Sequence, residues 1–396
     1  MRRREGWRTQ GLLLWMTALG GLSGVACENT EIFAQRQRAL LDLGVAPERL
    51  CSEALPCPED PCLVLRCEEG RCVAEEPSIE LRRLDNTELP GALQSASLST
   101  LEEEAEAPLT FLMTEDALFR WEESAGQPPE TMSASPPPEV ERIVYTGDQL
   151  FALSQRQTTL SELDPIRGSE RATLDLSGPP MDVLVDGSQW WISLYDKGIQ
   201  RVETSGGGVT LAGRYDTPGR ADALAIGGAH LLVGDGFAGL SALAGSDELD
   251  EAPGAELPAR LLTPALEQPT RGRVNALSIS SESALTAEWG AGLGVFRLDP
   301  TLGPQRIATL PLSAPARQVI HVGAYRALLW TGEAELLWID LWAPSAPREL
   351  QRLSLPWRPE LLRFGAGGAL VAARSVSREG EATVSQVVRL SLRCGE

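Results

Sequence analysis

The sequence predicts an all-β protein built as a β-propeller of seven blades, with a small disulfide-rich module at its N-terminal end. Three observations lead to this prediction. Segments of similar pattern recur about every 40 to 45 residues, each contains two short apolar strands separated by a turn with Gly or a small polar residue, and five cysteines cluster within residues 51–72. A period of this length with several strands per unit is typical of propeller blades.

The repeating unit is clearest in the middle of the chain. Its second strand and following glycine are Trp190–Ser193 with Gly198, Leu231–Gly234 with Gly239, and Ala284–Ala287 with Gly292; related strands are Gln149–Ala152, Ala327–Trp330 and Ala369–Ala372. The expected blades cover residues 78–139, 140–180, 181–220, 221–273, 274–316, 317–358 and 359–395. Because one small sheet cannot cover both of its faces, we expect the blades to stack into a ring. A strand from residues 78–84 then closes the ring beside the last blade, near Cys394.

Composition limits the classes of function. Of the 396 residues, 43% are hydrophobic and 23% are charged, which is ordinary for a folded globular chain. The formal net charge of −20 repels phosphate backbones, so we expect no nucleic-acid partner. The two histidines, His230 and His321, stand far apart and offer little material for a metal site or a general base. We therefore expect no cofactor, no metal and no catalytic residues.

Residues 1–26 have the three parts of a secretory signal peptide. Arginines at positions 2, 3, 4 and 8 precede the apolar stretch 11–22, and small residues, Gly24 and Ala26, stand before Cys27. An ordinary signal peptidase would cut before Cys27. Alternatively, residues 22–27 resemble a bacterial lipobox, although Gly24 replaces the usual leucine, and Cys27 would then carry the lipid. We favour the second interpretation, which predicts membrane attachment only through an N-terminal lipid.

The location follows from that anchor. Glu28 follows the cysteine, where inner-membrane lipoproteins often carry Asp, so the prediction is an exported outer-membrane lipoprotein of the cell envelope. The alternative is a soluble periplasmic or secreted protein. Residues 27–50 would form the anchor and a short amphipathic helix over 30–43, residues 51–77 the cysteine module, and residues 78–396 the propeller.

Cysteine parity supports this arrangement. With Cys27 lipidated, an even set remains for disulfide bonding: Cys51, Cys57, Cys62, Cys67, Cys72 and Cys394. Paired zinc ligands prefer gaps of about two residues, whereas the gaps here are longer, so we expect disulfides. Because five cysteines cannot pair among themselves, Cys394 is the expected sixth member. The connectivity stays open.

Two segments carry a resemblance to a known family. Leu336–Pro347 (LLWIDLWAPSAP) and Gly292–Pro300 (GLGVFRLDP) each run from an apolar strand ending in Asp into a Pro-containing turn. They resemble the LVIVD repeat of bacterial surface propellers, and the resemblance covers about residues 140–358. It implies a propeller at the cell surface and brings no catalytic residues.

One glycine motif has an alternative meaning. Gly234–Gly239 matches G-x-G-x-x-G, the dinucleotide fingerprint, which requires a helix after it to hold a pyrophosphate. The following residues align with the strands of other blades, so we expect a turn between strands. No nucleophile elbow, zinc-protease pair or Walker loop is present in the sequence.

The sequence therefore predicts a non-enzymatic, lipid-anchored envelope protein whose propeller is a binding or scaffolding platform for an envelope protein or a polysaccharide. The alternatives are an extracytoplasmic glycan hydrolase or lyase with carboxylates at the channel, and a spacer without a ligand. Candidate partner contacts are tryptophans near turns and acidic residues of the long connection 245–273. They are Trp289, Trp342, Trp357, Asp247, Glu248, Asp250 and Glu251.

Overall fold

Every regular element in the described part of the chain is a β-strand. The structure is a computed structural model. It describes residues 57, 64–68, 71–75, 79–98, 109–122, 127–133, 139–146, 149–187, 189–205, 208–227, 230–244, 256–257, 272–280, 283–299, 303–365, 369–377 and 382–394. The predicted signal peptide, Cys27 and the helix expected over 30–43 lie outside these residues.

The N-terminal cysteine region contains a two-stranded sheet, β1 (Val64–Glu68) and β2 (Arg71–Glu75). A disulfide joins Cys57 to Cys72, with the two Cα atoms 5.7 Å apart, and Cys67 is also disulfide-bonded. The prediction of a disulfide module is confirmed to this extent. Cys51 and Cys62 lie outside the described residues, as does the side chain of Cys394.

The first four blades follow β3 (Ile79–Pro90), which belongs to the last blade. Blade one contains β4 (Leu93–Leu98), β5 (Thr110–Thr114), β6 (Leu118–Trp121) and β7 (Glu130–Ser133). Blade two contains β8 (Arg142–Tyr145), β9 (Leu150–Ser154), β10 (Thr159–Leu163) and β11 (Glu170–Asp175). Blade three contains β12 (Asp182–Asp186), β13 (Gln189–Ser193), β14 (Ile199–Ser205) and β15 (Gly208–Tyr215). Blade four contains β16 (Ala223–Gly227), β17 (His230–Gly234) and β18 (Leu240–Ala244).

The remaining strands complete the ring. A short strand, β19 (Glu256–Leu257), pairs in parallel with β15 at the outer edge of blade three. Blade five contains β20 (Arg273–Ile279), β21 (Ser283–Trp289), β22 (Gly292–Asp299) and β23 (Gly303–Leu310). Blade six contains β24 (Gln318–Val322), β25 (Arg326–Trp330), β26 (Glu335–Asp340) and β27 (Arg348–Ser354). Blade seven contains β28 (Leu361–Phe364), β29 (Ala369–Val376), β30 (Val384–Cys394) and β3. The predicted seven-bladed all-β propeller is confirmed.

Burial changes systematically across a blade. The second strands β9, β17 and β25 are buried at every residue, whereas the outermost strands β11 and β27 are largely exposed. The apolar core therefore lies between neighbouring blades. Trp330 and Trp338 of blade six, for example, pack with Leu362 and Leu370 of blade seven.

The last blade closes the ring with strands from both ends of the propeller. β3 pairs antiparallel with β30 along its length, beginning with Ile79 opposite Cys394, as the sequence predicts. An ion pair of 2.6 Å between Arg389 Nη2 and Asp85 Oδ2 reinforces this pairing, and the Arg389 guanidinium lies 4.0 Å from the ring centroid of Trp121 in blade one. Closure thus combines a backbone ladder with contacts to the next blade.

The glycine that recurs after the second strand of blades three to five has a steric cause. Gly198 and Gly292 both adopt positive φ, and a Cβ atom at either would stand 2.0 or 2.1 Å from a carbonyl oxygen of the blade's fourth strand. No side chain fits in that space, and the left-handed backbone also favours glycine. The close approach of the turn to the outer strand therefore explains this part of the repeat.

The inner strand of each blade has an edge that no further strand covers. Polar side chains of one blade accept hydrogen bonds from some of the backbone N–H groups along this edge of the neighbouring blade. Ser95 Oγ accepts a hydrogen bond from Ile143 N at 3.1 Å, and Ser97 Oγ accepts one from Tyr145 N at 2.8 Å. Blades one and two are thereby joined along their inner edges.

The same device recurs between other blades. Asp182 Oδ2 accepts from Leu224 N at 3.1 Å, and Ser278 Oγ accepts from His321 N at 2.8 Å. Each contact provides a partner for a backbone donor that an uncovered sheet edge would otherwise leave unmatched. Inner-strand polar residues therefore bind neighbouring blades to one another.

We expect Ser385→Ala to destabilise the closure. Ser385 is fully buried, accepts from Leu93 N at 2.7 Å and donates to Gly91 O at 2.8 Å, so its loss leaves two backbone groups unmatched. The expected loss in the free energy of unfolding is about 1–3 kcal/mol, measured by urea denaturation. Ser377→Ala, at an exposed site, is the matched control, and equal stability of the two variants would contradict the argument.

Candidate binding surface

Aromatic and arginine side chains meet on one face of the ring. We define the upper face as the face that carries the turns between the second and third strands and the connections between blades. Over blades three to six, those turns and connections, together with the strand ends beside them, supply a set that we name the aromatic–arginine row. It consists of Tyr195, Arg220, Phe237, Arg273, Trp289 and Arg317.

The row begins at the turn of blade three. Tyr195 adopts φ of 51° and pairs through its backbone with Ala221 at the start of blade four. The Arg220 guanidinium lies 4.0 Å from the Tyr195 ring centroid, and its Nη1 donates to the Tyr195 hydroxyl at 3.1 Å. Cation–π attraction and a hydrogen bond therefore fix the orientation of both side chains.

A buried carboxylate joins the first two arginines of the row. Asp222 accepts from Arg220 Nε at 2.8 Å and from Arg273 Nε at 2.9 Å. The Asp222 side chain is 4% exposed, and each arginine side chain is 31% exposed. Two guanidiniums share one carboxylate, so this cluster carries one net positive charge and remains open to solvent.

Two exposed aromatic rings stand beside this cluster. Phe237 is 74% exposed and Trp289 is 45% exposed. Val274 N donates to Gly236 O at 3.0 Å, which brings the turn of blade four against the start of blade five. Arg273, next to Val274 at the start of blade five, pairs with Trp289 across the sheet. The rings of Phe237 and Trp289 therefore stand at adjoining turns.

Arg317 extends the row towards blade six. Its guanidinium lies 5.2 Å from the ring centroid of Trp289 and 5.9 Å from that of Trp330. Trp330 itself is buried, and its indole Nε1 donates to Glu333 O at 2.9 Å. The exposed Arg317 therefore lies between one accessible ring and one core ring.

A buried acid supports the turn below Phe237. Asp235 accepts from Thr217 Oγ1 at 2.7 Å, from Gly219 N at 2.9 Å and from Ser241 Oγ at 3.3 Å. Burial raises the pKa of this carboxyl above its usual range, although the three hydrogen bonds oppose that shift. The residues after the turn form β18, so the prediction that Gly234–Gly239 is a turn between strands is confirmed.

Blade five has an acid at the equivalent position. Glu288 is fully buried, and its Oε1 accepts from Thr286 Oγ1 at 2.7 Å and pairs with the Arg306 guanidinium. Both acids therefore hold turns in place through donors of their own blade or connection.

The histidines are held in structural contacts. His321 lies between Ser278 Oγ, 3.0 Å from its Nδ1, and Ser283 Oγ, 3.1 Å from its Nε2. Burial lowers the pKa of His321 to about 3, which makes it a weak base. His230 is 4% exposed, and its Nε2 contacts Asp299 O at 3.1 Å. Within the described ranges, no three potential metal-ligating side chains come together.

The sequence-predicted contact residues have different positions. Trp289 belongs to the aromatic–arginine row, but Trp342 is half-buried and packs edge-on against Tyr325, with ring centroids 5.2 Å apart. Trp357 is half-buried against the core between blades six and seven, under the Arg374 guanidinium at 5.1 Å. Asp247, Glu248, Asp250 and Glu251 lie outside the described residues, as does the lipidation candidate Cys27.

Sequence reasoning missed the arginines and Phe237. A signal was present, because the similar segments Gly219–Asp222 (GRAD) and Gly272–Asn275 (GRVN) place an arginine near the start of an inner strand. Phe237 follows Gly236 within the turn that the glycine motif marks.

We expect Asp235→Asn to stabilise the fold at neutral pH. The amide mimics the protonated acid, which the folded state favours because the folded pKa is raised. The advantage over the natural protein should shrink as the pH falls through the folded pKa of Asp235 towards its unfolded value. Urea denaturation at pH 7 and at pH 4 measures this difference. A variant less stable than the natural protein at pH 7, or an advantage that grows in acid, would contradict the assignment.

Comparison with solved structures supports the fold alone. Neither a family model nor a curated protein matches the chain. A chain of the mitotic checkpoint complex aligns with TM-score 0.58 and 12% identity, over 81% of this chain and 98% of that one. The WD40 repeats of RRP9 align with TM-score 0.55 and 11% identity, over 78% and 97%. A streptogramin B lyase aligns with TM-score 0.54 and 12% identity, over 80% and 98%.

Proposed function

We propose that this chain is a non-enzymatic, lipid-anchored protein of the cell envelope, whose propeller serves as a binding platform. The observation that carries the proposal is the exposure of Phe237 and Trp289 on adjoining turns of the upper face. A ring whose second strands are largely buried holds such turns rigidly. Exposed aromatics on a rigid scaffold bind a partner with little loss of conformational entropy.

The chemistry of the row suits either kind of partner in the envelope. Trp, Tyr and Arg are the residues that most often dominate protein–protein affinity. Aromatic rings also stack on sugar rings, and guanidiniums bind carboxylate and phosphate groups. An envelope protein or a polysaccharide is therefore the proposed ligand.

The alternative of a glycan hydrolase or lyase needs a carboxylate pair at the channel. Asp182 is the carboxylate at the start of the inner strand β12, and both of its oxygens are occupied, by Arg142 Nη2 at 2.9 Å and by Leu224 N at 3.1 Å. The low pKa of His321 also makes it a poor general base at neutral pH. These contacts favour binding over catalysis.

Location rests on the sequence. The signal-like residues 1–26, the lipobox-like residues 22–27 and the resemblance to LVIVD surface propellers all support an exported lipoprotein. Within the part of the chain that the structure describes, no helix has the length and apolar character needed to cross a bilayer.

We expect the double variant Phe237→Ser, Trp289→Ala to lose the partner. Central aromatic anchors each contribute about 2 kcal/mol, which is roughly 30-fold in affinity, so removing both should weaken binding by several hundred-fold if the two losses add. Affinity capture from envelope extracts after mild cross-linking compares the natural protein with the variant.

Ile166→Ser is the matched control. Ile166 is 69% exposed, but it lies in a loop between the third and fourth strands of blade two, on the opposite face. The control variant should recover the same protein or glycan as the natural chain. Equal recovery by the double variant would exclude the aromatic–arginine row as the contact surface.

We expect Cys27→Ala to release the protein from the membrane fraction. The substitution removes the sulfur that would carry the lipid, which is the membrane attachment that the sequence predicts. Fractionation of cells, with Thr30→Ala as a neighbouring control, measures the change. Continued sedimentation of Cys27→Ala with membranes would rule out lipid attachment at this residue.

A further inference from the structure

The aromatic–arginine row forms one continuous line of contacts over blades three to six. Asp222 joins Arg220 to Arg273. Arg273 pairs with Trp289 across blade five, and the Arg317 guanidinium lies 5.2 Å from the Trp289 ring centroid. Rings and guanidiniums also alternate along the chain within the row. A surface arranged in single file over neighbouring turns suits an extended ligand better than a compact one.

The apolar part of the upper face is small. Among the described residues, the large hydrophobic side chains exposed on this face are those of Phe237 and Trp289. The other exposed ones lie towards the opposite face, Ile166 and Ile226, or on the outer strand β15, Leu211. The core of a protein–protein interface is usually apolar and depleted of charge. Single rings separated by guanidiniums do not form such a core.

The guanidiniums of the row have donors that no described side chain uses. Arg273 donates to Asp222 through Nε at 2.9 Å, and its two Nη groups have no acceptor among the described residues. Arg317 is exposed and forms no ion pair within the same part of the chain. The three arginines of the row and the single carboxylate of Asp222 together carry two net positive charges. The row therefore offers both charge and unused N–H groups to an anion.

Most acids in the described turns and connections of blades three to six have a basic partner of their own. The pairs are Asp196–Lys197, Glu288–Arg306 and Glu333–Arg358. Asp235 is buried beneath its turn, whereas Asp216 is exposed on the connection that carries Arg220. Asp216 is thus the acid that opposes an anionic ligand here, and it offers a direct test of the charge argument.

We propose that the aromatic–arginine row binds a carboxylated polysaccharide, an extended chain of uronate sugars. The negative faces of the Phe237 and Trp289 rings attract the C–H faces of the sugars. Uronate carboxylates accept paired hydrogen bonds from the guanidiniums of Arg273 and Arg317, whose planar fork matches them. A uronate polymer repeats a C–H face and a carboxylate at every sugar, as the row repeats a ring and a guanidinium.

This inference rests on the proposed platform function and names the ligand of the same surface. The other ligand of suitable charge is an acidic segment of an envelope protein. The small exposed apolar area and the alternation of rings with guanidiniums favour the polysaccharide.

Titration calorimetry of the full chain with oligogalacturonate, and with its fully methyl-esterified form, tests the proposal. The two probes have the same sugar, linkage and length, but the ester carries no carboxylate charge. Oligogalacturonate should bind saturably, and the ester should bind at least about tenfold more weakly because it lacks the charge-assisted hydrogen bonds. Absence of saturable oligogalacturonate binding, or equal affinity for the two probes, would overturn the proposal.

Substitutions separate the contribution of charge from that of stacking. Arg317→Gln should weaken oligogalacturonate binding by about tenfold and leave binding of the ester unchanged, and Arg317→Lys should be intermediate. Phe237→Ser should weaken binding of both probes by the same factor. Asp216→Asn should tighten binding of oligogalacturonate alone. An equal effect of Arg317→Gln on the two probes would contradict recognition of the carboxylate.

Arg352→Gln is the control variant. Arg352 lies on the outer strand β27 in an exposed ion pair with Glu349, so binding of both probes should be unchanged. A loss of oligogalacturonate affinity in this variant equal to that of Arg317→Gln would show that overall charge, and not the row, attracts the probe.

Oligoglutamate of equal charge tests the acidic protein segment. It should bind at least about tenfold more weakly than oligogalacturonate, because it has no sugar face to stack on the rings. Equal or tighter binding of oligoglutamate would overturn the polysaccharide assignment. The platform function fails separately: it is wrong if Phe237→Ser, Trp289→Ala captures the same envelope components as the natural protein, whatever the probes show.

Discussion

The uncovered edge of each inner strand is the constraint on which the ring depends. A blade pairs its strands outwards, so the backbone groups of its innermost strand face the axis without a ladder partner. The contacts of Ser95, Ser97 and Ser278 with backbone N–H groups of the next blade show how side chains supply some of those partners. Blade-to-blade packing is therefore specified by polar positions as well as by the apolar core.

Closure places a second requirement on the chain. A ring of stacked sheets has two free ends, and here the outer strand of the last blade comes from the N-terminal side of the propeller. The long ladder between β3 and β30 ties these ends together, and Ser385 links the same blade to the start of blade one. Because the ring is closed in this way, the upper-face turns project from a scaffold whose second strands are largely buried.

The architecture was predictable because its causes are local and repeated. The sequence shows the apolar strand pairs, the strand near residue 79 and the glycine at position 198. The structure explains that glycine by the close approach of position 198 to Tyr215 O. The binding surface was only partly predictable. Asp222 joins Arg220 to Arg273, which stands 51 residues further along the chain, and no local pattern reveals such a contact. Likewise, sequence does not distinguish the exposed Trp289 from Trp342, which packs on Tyr325.

Local charge and net charge have different consequences in this protein. The chain carries −20 overall, yet the Arg220–Asp222–Arg273 cluster on the upper face is net positive. Solvent and salt screen the distant carboxylates of the surface beyond about 8 Å at physiological ionic strength. At the cluster itself, the nearest charges therefore dominate. Recognition of an anion is therefore compatible with an acidic chain, provided that its arginines are held where few carboxylates reach them.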